Sequence, residues 1–113
     1  MAEEKVILAY VSQYKEKYYF NDKLGKLPEQ VRNEVLMSLI FIVEEAGGVA
    51  ELGFEPDGTV YVDSYCEEGD LGYDAISGGL LTRELEREHA DLMEKLELWY
   101  RTVREARRRK RED

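Results

Sequence analysis

Apolar positions along the chain change their period several times, and each change marks an element. Lys5 to Val11 (KVILAYV) is rich in β-branched and aromatic residues without Gly or Pro, and predicts a strand. Gln13 to Phe20 (QYKEKYYF) predicts a second strand after a turn near Ser12. Ile7, Val11, Tyr14 and Tyr18 also recur at helical spacing, so a helix from Glu3 to Tyr18 competes with this reading. The aromatic close of the segment favours strand.

After the turn-forming stretch Asn21 to Lys26, a helix is predicted from about Pro28 to Ala46. Proline suits the first helical position and Glu29 adds acid to the first turn. Val31 and Val35 face inward while Gln30, Arg32 and Glu34 face out. From Leu36 to Val43 the helix is apolar on nearly every side, which predicts a central helix covered on more than one side. Gly47-Gly48 ends it through the left-handed backbone that glycine takes without steric cost.

A hairpin follows, with Val49 to Glu55 and Thr59 to Tyr65 flanking the turn Pro56-Asp57-Gly58. Ala50, Leu52 and Phe54 alternate with Glu51 and Gly53, and Val60 and Val62 with Tyr61 and Asp63. One face is therefore apolar and the other acidic and aromatic, as in a sheet covered by helices on one side. Cys66 to Gly72 reads as a loop. A long helix then starts near Asp74, or after Gly78-Gly79, and runs towards Arg109. Leu85, His89, Leu92, Leu96, Trp99, Val103 and Ala106 form a continuous heptad stripe along it. Arg87 with Asp91, Asp91 with Lys95, and Glu97 with Arg101 are spaced to pair across helical turns. The expected fold is α+β, of order β-(β)-α-β-β-α: a small antiparallel sheet on a buried helix, with a long C-terminal helix.

Length and composition narrow the classes. With 113 residues the chain is expected to be one domain, 1–113, with a basic helical tail from about residue 104. The longest apolar run, Val35 to Val43, falls far short of the ~20 residues needed to cross a bilayer, so no membrane role is expected. The acidic opening Met1-Ala2-Glu3-Glu4 lacks a secretory signal's basic start, and a cytoplasmic location is expected. One cysteine, Cys66, and one histidine, His89, leave nothing for a disulfide framework or a multi-histidine metal site.

The net charge of −9 is unevenly spread. Residues 1–100 carry −13 and residues 101–113 (RTVREARRRKRED) carry +4. From Asn33 to Thr82 there is no Lys or Arg but eleven Asp or Glu. The acidic body repels a polyanion, and basic residues at a helix C-terminus are favoured by the helix dipole alone. Nucleic acid bound through Arg104 to Arg111 and the aromatic-basic segment Tyr14 to Phe20 is thus the alternative reading, as is an acidic mimic of a nucleic-acid backbone.

The segments Lys17-Tyr18-Tyr19, Leu27-Pro28, Glu44-Glu45-Ala46-Gly47-Gly48, Asp57-Gly58, Tyr73-Asp74 and Glu97-Leu98-Trp99-Tyr100 stand out along the chain. Through them it resembles an uncharacterised family of small bacterial proteins. The resemblance covers roughly residues 5–103 and lends no catalytic residue.

No motif carries a chemistry. The double glycines lack a phosphate-binding context and lie in the acidic window. Asp57, Asp63, Glu67, Glu68, Asp70 and Asp74 do not have the spacing of a cation-binding loop. No nucleophile motif frames His89, and the acids beside Cys66 raise a thiol's pKa, the wrong direction for reactivity. No cofactor, metal or catalytic residue is assigned. A helix as long as the last one should project beyond its own core and seek a partner. The expected function is a non-catalytic interaction module that self-associates through Leu92, Leu96, Trp99, Tyr100 and Val103, with an acidic face for a positively charged protein. The basic end of one copy against the acidic middle of another would make association weaken with salt.

Overall fold

The computed structural model describes residues 4–112. The acid at Met1 to Glu3 and the Arg111 side chain, both used above, lie outside that description.

Four strands form one antiparallel sheet. They are β1 (Val6–Ser12), β2 (Lys17–Phe20), β3 (Val49–Phe54) and β4 (Val60–Tyr65), in the order β2-β1-β3-β4. The N-terminal segment is thus a strand pair and not a helix. Its second strand is shorter than expected, because Tyr14 to Glu16 turn, with Glu16 at a φ of 50°. The ladder slips between Ile7 and Ala9, where β1 carries a bulge. Asn21 takes up the carbonyls this frees: its N–H donates to Leu8 O at 2.7 Å and its side-chain amide to Ile7 O at 3.2 Å. A bulge leaves backbone groups unpaired, and a buried unpaired carbonyl is costly.

Helix α1 (Glu29–Ala46) begins one residue after the proline expected to open it. It lies on the face of the sheet formed by Ala9 and Val11 of β1 and by Ala50, Leu52 and Phe54 of β3, all buried. Gly47 and Gly48 leave the helix at φ 82° and 69° and turn directly into β3. A Cβ on Gly48 would stand 2.2 Å from the Tyr65 carbonyl oxygen, so no other residue fits there.

The predicted long helix is two helices, α2 (Ala75–Glu88) and α3 (Ala90–Glu112), broken at His89. Asp74 caps α2 by accepting from Ser77 N–H at 3.0 Å, which settles the earlier of the two expected starts. That hydrogen bond holds the Asp74 carboxyl below the usual range. α2 starts beside the end of α1, where Asp74 N–H donates to Ala46 O at 2.9 Å, and packs on α1 and β4. The break lets one apolar stripe serve two surfaces. Leu85 faces α1 beside Phe41 and Ile42, Tyr100 covers Phe54, and Leu92, Met93 and Leu96 join the same buried cluster. Tyr100 stacks on Phe54 with ring centroids 4.0 Å apart, nearly parallel at 3°. Glu97 accepts Val60 N–H at 2.8 Å, which occupies it and blunts an amide of edge strand β4.

Candidate interaction site

The residues expected to form a subunit interface have a clear placement. Leu92, Leu96 and Tyr100 are buried in this chain's own core. Trp99 and Val103 close over the loop after β2: Trp99 Nε1 donates to Lys26 O at 3.0 Å, and Val103 packs where Gly25 has no side chain. Two arginines of the basic end are bound too, Arg104 to Pro56 O at 2.8 Å and Arg107 to Lys23 O. They help line a cleft of about 600 Å³ with Glu4, Val6, Pro56 and Tyr100. On α3 the side left free carries Leu98, 51% exposed, and the exposed Arg101, Thr102, Glu105 and Arg109.

Other candidates sort in the same way. Asp70 accepts from Tyr14 Oη at 2.5 Å and from Gly72 N–H at 2.9 Å, tying the acidic loop to the β1–β2 turn. The Tyr14 bond lowers the Asp70 carboxyl's pKa and raises the phenol's. Asp57 accepts Thr59 N–H at 2.9 Å in the hairpin turn, and Asp63 accepts Ser64 N–H at 2.9 Å. Among the described residues no three of the acids, Cys66 and His89 converge on one point. Cys66 is a half-buried free thiol.

The sheet face away from the helices carries the expected mixture of aromatic and acidic groups, but they satisfy one another. Tyr61 and Tyr65 both donate to Glu51, each at 2.7 Å. Burial first, and then those bonds, push both phenols above the usual tyrosine range. Tyr10 stacks on Tyr19 at 5.3 Å, and Lys5 sits 4.8 Å above the Tyr61 ring.

Leu71, Ile76, Leu80 and Tyr18 stand singly exposed, whereas the exposed apolar groups between α1 and α2 line a common groove. Helix α1 is apolar on nearly every side from Leu36 to Val43, and the sheet and α2 cover only part of that girth. Met37 is 63% and Phe41 51% exposed. The expected cover on more than one side is present, by the sheet and by α2, and the remaining outer side of α1 stays open. Met37, Phe41 and Ile42 on α1 face Leu81 and Leu85 on α2 across a groove of about 350 Å³. Its rim is Glu34, Glu84 and Glu88, with half-buried His89 at one end and no Lys or Arg in the lining. Sequence reasoning named none of these as site residues except His89. Only the apolarity of α1 on nearly every side signalled the face.

A model of a family of unknown function matches residues 5–108. The chain belongs to this family, DUF6145. No curated protein and no solved structure matches the chain. The motifs that carried the family resemblance have structural roles here. Gly47-Gly48 and Tyr73-Asp74 join the ends of α1, β4 and α2, where Tyr73 Oη lies 2.8 Å from Ser64 Oγ. Asp57-Gly58 makes the hairpin turn, and Glu97, Trp99 and Tyr100 fasten α3. These motifs of the DUF6145 chain thus build the fold, and none of them lines the groove. Among the described residues no helix is long and apolar enough to cross a membrane.

Proposed function

We propose that the protein is a non-catalytic interaction module whose groove between α1 and α2 receives a positively charged amphipathic helix. One observation carries the reading: Met37 and Phe41 stand in solvent on a stretch of helix that is apolar on nearly every side. A helix apolar on most sides belongs in a core, and here the sheet and α2 leave this side uncovered. Covering the remaining surface of the two side chains contributes about 1.5–3 kcal/mol, taking roughly half the value of full burial for each. Glu34, Glu84 and Glu88 at the rim supply the charge preference, since opposite charges across an interface guide encounter and reject like-charged partners. The groove lining spans nine residues of α1, from Glu34 to Ile42, so it accepts about two turns of helix.

Calorimetric titration with a synthetic helical peptide of leucines at i, i+4 spacing flanked by lysines tests this. Saturable binding is expected that Phe41→Glu removes and added salt weakens. Equal binding to the Phe41→Glu protein, or no binding, overturns it.

A further inference from the structure

We infer that the helix received by the groove is α3 of a second copy, exchanged reciprocally so that two copies close into a dimer. The inference rests on the proposed role of the groove and adds the identity of its occupant.

Three observations on the two surfaces support it. The groove is apolar at its floor and purely acidic at its rim. The free side of α3 has one apolar anchor, Leu98, followed by Arg101, Thr102 and Glu105, with Arg109 beyond. This face offers Leu98 to the apolar floor and the cations Arg101 and Arg109, with Glu105 between them, to the acidic rim. The chain's excess of positive charge, +4, lies at this end of the helix, while the body that carries the groove is at −13.

Geometry excludes the same chain as donor. α3 starts at Ala90, just after His89 of the groove lining, and none of its described residues lines that groove. Its basic half is fastened within its own chain by the Arg104 and Arg107 bonds to Pro56 and Lys23. Leu98 therefore reaches a groove only in another molecule. Each copy has one groove and one helix, so mutual docking satisfies both sites and closes on itself; one-way docking would leave a free site at each end and grow into chains.

Sedimentation of the full chain, with charge-reversal pairs, tests the assignment. The wild type is expected to be a dimer whose dissociation constant rises about tenfold or more when salt is raised from low to several hundred millimolar. Glu84→Arg with Glu88→Arg, and separately Arg101→Glu with Arg109→Glu, each give monomers. Mixing the two variants restores the dimer, because both grooves of the mixed pair then meet opposite charge. Met37→Glu, checked for folding by circular dichroism, also gives a monomer. A monomeric wild type at high concentration overturns self-docking, as does a dimer indifferent to these changes. If the wild type is monomeric yet binds the leucine–lysine peptide, only the occupant is wrong; if it does neither, the groove reading fails as well.

Discussion

Replacing Tyr100 by alanine separates the two roles that the C-terminal stripe could have. Tyr100 is 6% exposed and stacks on fully buried Phe54 at 4.0 Å, so its ring is part of the core. Truncating a buried large aromatic to alanine costs about 3–5 kcal/mol, a figure that includes about 0.5–1.5 kcal/mol from the stacked pair. At a urea dependence near 2 kcal/mol per molar, the unfolding midpoint should fall by about 1.5–2.5 M. Tyr100→Phe keeps the stack and should cost less than about 1 kcal/mol, because the contact area is conserved. The assay is equilibrium unfolding followed by circular dichroism, at low and high protein concentration. A core residue gives the same loss at both concentrations, whereas a subunit contact makes the loss concentration-dependent. An unchanged midpoint for Tyr100→Ala, with a drop in sedimentation mass alone, would refute the placement.

Further outcomes follow from other parts of the molecule. Gly48→Ala places a Cβ against the Tyr65 carbonyl at φ 69° and should destabilise by about 2 kcal/mol or more, read as a lowered urea midpoint. Phe41→Ser, at a half-exposed position, should cost under about 1 kcal/mol in the monomer while abolishing peptide binding. Asp57, Asp70 and Asp74 have carboxyls held below their ordinary range by hydrogen bonds, so the stability they lend is present above about pH 4 and lost as pH falls further. Asp74→Asn should flatten that acid slope. Tyr61 and Tyr65 are raised in the folded state, so their contribution is intact below about pH 10 and lost as alkali rises through their folded pKa. Glu51→Gln should bring their ultraviolet titration back towards ordinary tyrosine.

The strands, the hairpin turn and the first helix were legible in the sequence because each has a local cause. Alternation sets the faces of β3 and β4, Asp57-Gly58 sets their turn, and Gly47-Gly48 sets the end of α1. The break at His89 was not legible. The heptad stripe passes through Leu85, His89 and Leu92 without interruption, and neither Gly nor Pro marks the site. Leu85 and Leu92 both reach the same buried cluster from two helices, with the chain turning at His89 between them. The same bend spaces Arg87 and Asp91 across a helix end, and the tertiary contact to Val60 takes Glu97. As for the site, the apolar girth of α1 was visible, but which side would stay open depended on where α2 settled.

The claim that the groove is the binding surface can be tested most directly with the protein's three phenylalanines. Phe54 is fully buried, Phe20 is half-buried under Arg32, and Phe41 is exposed in the groove. In fluorine NMR of fluorophenylalanine-labelled protein, titration with the leucine–lysine helix should move the Phe41 signal to saturation and leave Phe20 and Phe54 in place. Movement of Phe20 or Phe54 with Phe41 unchanged, or no movement of any signal, would contradict the account.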